Sequence, residues 1–308
     1  MKASPDRTDH PLAAAAPVER PSSTQDNRIL PNAMTVDVED YFHVHAFAGH
    51  IARGDWDRLP CRVERNTERI LELFAAHGVF ATFFTLGWVA ERHKALIRRI
   101  VDAGHELASH GLEHMPVHAQ TPDAFRRDIR RTKALLEDLG GSSVKGYRAA
   151  SFSISEATPW AYDVLAEEGY AYSSSVYPIR HDHYGTPDAP RFACCPRSGP
   201  FLEIPMSTLT LLGRNLPCSG GGYFRLLPYA VSHWAISRVR TMEKQPCVFY
   251  FHPWEIDPEQ PRQHQAPLKS RLRHYVNLRR MEGRVARLLQ DFAWDRMDRI
   301  YLGQGAPS

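Results

Sequence analysis

Four short clusters in this 308-residue sequence carry side chains able to move protons or hold a cation. The first is Thr35-Val36-Asp37-Val38-Glu39-Asp40. Alternation along a strand puts Asp37 and Glu39 on one face, and Asp40 follows at the turn. Clustered carboxylates repel one another unless a cation or an arginine neutralises them. Apolar residues precede Asp37, so the acids sit on a buried element that favours a metal or an arginine partner.

The second cluster is His110-Gly111-Leu112-Glu113-His114, preceded by Ser109. Histidines four apart on a helical turn share a face and can both reach one ion. Two imidazoles and one carboxylate leave positions open for water, as a catalytic metal site does. The third is Gly146-Tyr147-Arg148, whose arginine can hold a nearby carboxylate ionised and oriented. The fourth, Cys247-Val248-Phe249-Tyr250-Phe251-His252-Pro253-Trp254, ends an apolar run on a histidine. His252 is either a core histidine or a proton donor, and a hydrolytic metal site nearby favours the donor. His43, His45 and His50 follow the acids and receive no role. His181 and His183 flank Asp182 in a loop, as structural or substrate-contacting groups.

Elements of the right kind surround these clusters. β-like runs cover 33–38, 79–86, 106–109, 144–148, 171–176, 201–206 and 247–252. Helical patterns lie between them at 67–76, 91–103, after Thr121-Pro122, after Thr158-Pro159, at 228–244 and at 282–291. Gly78, Gly104, Gly140-Gly141 and Gly169 stop four of them. Strand–helix alternation predicts parallel strands with helices packed outside, and seven strands suit a barrel. The four clusters fall at strand ends, where the chemistry of α/β barrels gathers. No Gly-x-Gly-x-x-Gly follows the first strand, which argues against a dinucleotide fold. Segments 177–200 and 213–227 read as long loops of functional type. Residues 1–30 read as a disordered tail, 31–300 as one catalytic domain with a C-terminal helical extension, and 301–308 as a second tail.

Composition narrows the function. The net charge of +3, spread over dispersed basic residues, gives no case for nucleic acid. The five cysteines (Cys61, Cys194, Cys195, Cys218 and Cys247) are odd in number and lack C-x-x-C spacing. That argues against a disulfide framework and a cysteine zinc site, and for a reducing compartment. No stretch approaches a membrane span, and the N-terminal apolar run is too short for a secretory signal. A cytoplasmic location is therefore expected; the oligomeric state is left open.

As a set, the four clusters resemble the motifs of the polysaccharide deacetylases of the carbohydrate esterase type, which share the chitooligosaccharide deacetylase homology domain. Ala81-Thr82-Phe83-Phe84 and Gly104-His105-Glu106 are similar to the same family. A narrower likeness, to the branch found beside exosortase and exopolysaccharide genes, rests on four further stretches. These are residues 37–42, His181-Asp182-His183-Tyr184-Gly185, Gly220-Gly221-Gly222-Tyr223-Phe224-Arg225, and Phe251-His252-Pro253-Trp254-Glu255-Ile256-Asp257.

The resemblance implies an α/β fold, a distorted (β/α)7-type barrel, and removal of N-acetyl groups from the amino sugars of a polysaccharide or its precursor. It implies a divalent cation held by His110, His114 and either Glu39 or Asp40. Two residues separate Asp37 from Asp40, which leaves that carboxylate open; the strand face shared with Asp37 favours Glu39. Zn²⁺ suits such a donor set best, with Co²⁺ or Ni²⁺ binding comparably. Asp37 is implied as base, Arg148 as its partner, and His252 as acid to the leaving amine. A backbone N–H near Tyr147 or Arg148 would help hold the oxyanion. The third motif lacks the family's usual proline after its arginine, so that contact is open too. Tyr147, Tyr184, Tyr223 and Trp254 are the expected sugar contacts. Two alternatives stand beside this reading: an amidase of the same architecture acting on a small cyclic amide or ureide in a closed pocket, and a glycan-binding scaffold without catalysis.

Overall fold

The computed structural model describes residues 31–181 and 184–303. Its centre is a parallel sheet whose first strand, β1 (Asn32–Val38), is buried along its whole length. Next come β2 (Thr82–Thr85), β3 (Glu106–Ser109), β4 (Gly146–Tyr147), β5 (Tyr172–Ser173) and β6 (Leu202–Glu203), in chain order across the sheet. On the other side of β1 lies β9 (Val248–Phe251), with Val36 opposite Phe251. An antiparallel hairpin, β7 (Thr208–Leu211) with β8 (Arg214–Pro217), stands apart from the sheet. The strand β10 (Trp294–Asp295) pairs with the start of β1, at Asn32 and Ala33. Seven strands thus curve into the expected barrel. No ladder joins β6 to β9 among the described residues; the Val248 N–H donates instead to Ser207 Oγ at 2.8 Å. The barrel is therefore open at that seam.

Local chemistry explains the helices. In α1 (Val63–His77), Val63, Asn66, Thr67, Ile70 and Phe74 fall at helical spacing and are buried, and Gly78 ends the helix at φ +63°. Burial of Ile70 and Phe74 contributes roughly 1.5–3 kcal/mol each. In α4 (Pro122–Gly140), the Thr121 side chain accepts from the Ala124 N–H, Pro122 opens the first turn, and Gly141 is left-handed.

The expected helix at 91–103 is two helices, α2 (Gly87–Arg92) and α3 (Lys94–Asp102), broken where His93 leaves helical geometry. Thr158 does not cap α5 (Trp160–Glu167); its hydroxyl accepts from the Ser155 N–H, and Pro159 stands at the cap.

The greatest departure is at 213–227, expected as a loop. The stretch holds the β8 strand and then α6 (Gly221–Leu226), a short helix begun on glycines. Downstream lie α7 (Tyr229–Met242), α8 (Leu268–Tyr275), α9 (Leu278–Asp291) and α10 (Met297–Tyr301). The tail expected from residue 301 therefore starts inside a helix; residues 1–30 and 304–308 lie outside the described residues. Among the described residues no helix is long and apolar enough to cross a membrane. All five cysteines are free.

Candidate active site

The β1 strand sits between β2 and β9, so the residues leaving its C-terminal end are surrounded by strand ends. Asp37, its next-to-last residue, is buried. Its Oδ1 lies 2.6 Å from Arg148 Nη1, just past β4. Arg148 is fully buried, and its nitrogens are accounted for. Nη1 also donates to Thr35 Oγ1 (2.8 Å), Nε to the Ser174 carbonyl (3.1 Å) and Nη2 to Ser174 Oγ (3.0 Å). Its guanidinium lies 4.0 Å from the Phe84 ring centroid. A cation buried this deeply is tolerated because it is paired and hydrogen-bonded on every side.

Glu39 follows two residues later and faces the same cavity. Burial pushes its carboxyl up to about 7; the Asp37 charge adds to this, and His252 opposes it. Its Oε2 has no hydrogen-bond partner and stands 3.1 Å from His114 Nε2. One ligand atom each from Glu39, His110 and His114 lies within 4.8 Å of the others.

Burial holds both imidazoles below the usual histidine range, that of His114 well below it, so they are neutral near pH 7. His110 Nδ1 pairs with the Arg148 carbonyl at 2.8 Å, which assigns Nδ1–H as donor and leaves Nε2 as a free lone pair. An unpartnered buried carboxylate oxygen facing two neutral imidazoles is the donor chemistry of a borderline-soft divalent cation, so the residues present fit one.

The histidines meet by a route other than the expected helical turn. Residues 110–114 are irregular, and positive φ at Gly111 (+76°) and His114 (+52°) folds the chain back until the rings are 5.3 Å apart.

Asp40 is not part of this cluster. Its Oδ2 accepts from the backbone N–H groups of Arg62 and Val63, and Oδ1 from that of Tyr41 (2.8 Å). Arg62 is the N-cap of α1 and offers no side-chain cap of its own. Asp40 Oδ2 therefore serves donors at the start of that helix, and Oδ1 is spent on the Tyr41 N–H. The Asp40 N–H in turn donates to His43 Nδ1 at 2.8 Å, which gives the unassigned His43 a structural place.

His252 directly follows β9 and so comes beside the end of β1. Its Nε2 is 3.4 Å from Glu39 Oε1 and 3.9 Å from Asp37 Oδ2. Its Nδ1 is 2.8 Å from Glu255 Oε1. Burial opposes its positive form, but the hydrogen bond to Glu255 and the charges of Glu39, Glu255 and Asp37 outweigh that and push it up to about 9. Glu255, fully buried, also takes Arg225 Nε at 2.6 Å. A Cβ on Gly221 would stand 2.1 Å from Glu255 Oε1, so the glycine makes room for this carboxylate. Sequence reasoning gave Glu255 and Arg225 no role. Their signals were a carboxylate three residues past His252 and an arginine closing the glycine motif.

Of the expected sugar contacts, Tyr184 and Tyr223 line the cavity. Tyr184 stacks on His181 with ring centroids 4.0 Å apart; Asp182 and His183 lie outside the described residues. Tyr147 does not reach the cavity. It points away from the strand ends into the layer of Phe125 and Tyr170 and is 2% exposed. Trp254 borders the cavity, but its ring packs parallel to His252 (5.1 Å) and His274 (4.1 Å) and is 6% exposed. It is a backing for His252 rather than a platform for a sugar. The Arg148 N–H is also unavailable as an oxyanion donor, since it donates to the Ser109 carbonyl at 2.9 Å.

Comparison with known proteins adds to this geometry. A family model described as polysaccharide deacetylase matches residues 55–172, and a domain of unknown function, DUF3473, matches 174–302. The peptidoglycan deacetylase of Helicobacter pylori is 32% identical over 131 residues, 42% of this chain and 44% of that protein. A chitooligosaccharide deacetylase of Sinorhizobium fredii is 34% identical over 116 residues, 36% of this chain and 49% of that protein. This chain thus spans less than half the length of either relative.

Among solved structures, one described as a polysaccharide deacetylase from Mycobacterium smegmatis superposes with a TM-score of 0.53 at 20% identity, covering 95% of this chain and 91% of that one. The PuuE allantoinase superposes with a TM-score of 0.56 at 15% identity, covering 88% of each chain. Both show the fold. The chain carries a polysaccharide deacetylase domain and has chitooligosaccharide deacetylases among its relatives.

Proposed function

We propose that this chain is a metal-dependent hydrolase that removes N-acetyl groups from amino sugars of a polysaccharide or its precursor, in exopolysaccharide assembly. One observation carries the reading: Asp37 held by Arg148, the set of Glu39, His110 and His114, and His252 all converge in one cavity of about 930 Å³ at the strand ends. A cation bound by Glu39, His110 and His114 supplies Lewis acidity and lowers the pKa of water there; Zn²⁺ fits that donor set best.

The protein's own residues do the rest. Asp37 accepts the proton of the attacking water, and Arg148 keeps it ionised and aimed. His252 delivers a proton to the departing amine, and Glu255 fixes the ring by holding Nδ1–H. The products are acetate and a free amino sugar. The cavity is large for a cyclic ureide, and Tyr184 and Tyr223 on its wall suit a glycan. The free thiols fit a cytoplasmic location.

The test is acetate release from N-acetylglucosamine oligomers by Zn²⁺-loaded protein. Ammonia release from ureides with no acetate from oligomers would assign the amidase instead. Absence of both, with no bound ion on metal analysis, would leave a binding scaffold.

A further inference from the structure

Only the buried end of the cavity is used by the reaction. That end holds Asp37, Glu39 and Glu255, whose charges are already met by Arg148, His252 and Arg225. The other end is walled by α8, the chain leading into it, and the last residue of α6. The dispersed positive charge expected from composition fails in this stretch. Between Glu259 and Glu282 there is no acidic residue, and there are six cations: Arg262, Lys269, Arg271, Arg273, Arg279 and Arg280. Arg262 and Arg271 both line the cavity and have no carboxylate partner among the described residues.

The same wall is apolar. Leu268 and Leu272, four apart on α8, are 67% and 63% exposed, and Leu226 at the end of α6 is 59% exposed. All three line the cavity. The helix has a choice of faces, and its inner one is already pinned. His274 is buried against Trp254 and lies 2.6 Å from Gln260 Oε1, while its carbonyl accepts from Arg225 Nη1 at 2.7 Å. Leucines left in water beside a cavity forgo about 25 cal/mol per Å² until a ligand covers them.

We propose that the substrate is amphiphilic and anionic: an N-acetyl amino sugar joined through a phosphate or diphosphate to an apolar chain. This rests on the deacetylase reading and names its substrate class. The sugar occupies the deep end beside Tyr184 and Tyr223. Its anion is held by Arg262 and Arg271. The chain lies along Leu226, Leu268 and Leu272. A neutral glycan oligomer offers these arginines no charge and these leucines no apolar chain, and a phosphorylated sugar without a chain leaves the leucines wet.

The test compares kcat/KM of the Zn²⁺-loaded full chain on four probes below their micellar concentrations. They are N-acetylglucosaminyl diphosphoryl-farnesol, N-acetylglucosamine 1-phosphate, decyl N-acetylglucosaminide and an N-acetylglucosamine oligomer. The farnesyl diphosphate probe should exceed the oligomer by at least about tenfold, mostly through KM, and loss of either the anion or the chain should cost about tenfold. Arg271→Gln, and separately Leu268→Ser with Leu272→Ser, should shrink that preference; the leucines are exposed and Arg271 is half-buried without a carboxylate partner, and a urea midpoint for each variant checks that folding is preserved.

Equal kcat/KM on the farnesyl probe and the oligomer would overturn the inference and leave the deacetylase reading standing. Acetate from none of the probes would remove the deacetylase reading, and equilibrium binding of the farnesyl probe against the decyl glycoside would still decide the wall's ligand. Binding to anionic phospholipid vesicles without preference for any sugar probe would assign the wall to a membrane surface and also overturn it.

Discussion

Glu39 and Glu106 lie at opposite ends of the same sheet, and burial pushes both carboxyls up to about 7. Their surroundings differ. Glu106, first residue of β3, accepts from Thr82 Oγ1 (2.5 Å), Tyr172 OH (2.9 Å) and the Asp298 N–H (3.1 Å). Gly146 makes this possible, because any Cβ there would collide with the Tyr172 ring and hydroxyl. Glu39, just past the end of β1, leaves Oε2 unpartnered against His114. A raised carboxyl pKa therefore does not by itself identify a functional site. The distinction lies in unmet bonding capacity and in position at the C-terminal ends of the strands, where loops rather than packing finish the structure.

Removing the cation should separate the two glutamates most strongly. Chelation should reduce acetate release to background, and Zn²⁺ or Co²⁺ should restore it; full turnover in stripped protein would end the distinction. Glu39→Ala should lose the bound ion on metal analysis, whereas Glu106→Gln should keep both ion and turnover.

A step smaller are the proton-transfer groups. Asp37→Asn and His252→Ala should each retain the ion and lose about 10² to 10⁴ in kcat. The double variant should lose far less than the product of the two, as groups acting on one step do. Ion loss in either single variant would mean a ligand had been taken for a proton carrier.

Asp40→Ala tests the neighbouring acid that the fold assigns to α1. It should keep the ion and lower stability by roughly 1–3 kcal/mol in denaturant unfolding, since it strands buried helix-end donors. Ion loss there would return Asp40 to the cluster.

The smallest effect is a slope. Glu106 holds its proton to about 7 when folded, against 4.5 as its ordinary value. Its contribution is complete below about pH 4.5 and is lost as pH rises towards 7. In metal-free protein, Glu106→Gln should flatten the fall of the urea midpoint between those values. An unchanged slope would show that Glu106 titrates normally.

Much of the molecule was legible from local pattern. Six of the seven barrel strands fall within the β-like runs and β1 starts one residue ahead of its own, and Gly78 and Gly141 cap the helices they were expected to end, because strand period and left-handed glycine are properties of a few adjacent residues. The four clusters were legible for the same reason, each being contiguous. What was left open or misread has a different cause. The choice between Glu39 and Asp40 stayed open, with the strand face favouring Glu39, because nothing near them says that α1, over twenty residues on, arrives without a cap of its own. Tyr147 neighbours Arg148, but strand alternation sends the two to opposite faces. The glycine run at 220–222 looked like a break and is the start of a helix shaped by Glu255.

Local pattern in the chain was enough for the parallel architecture, the identity of the reactive side chains and the strand ends that bear them. Folding was needed to settle which buried oxygen was left without a partner, which histidine stood beside which acid, and which leucines stayed in water. Those outcomes depend on donors and surfaces brought together from distant parts of the chain, and a buried polar group takes whatever partner the fold delivers to it.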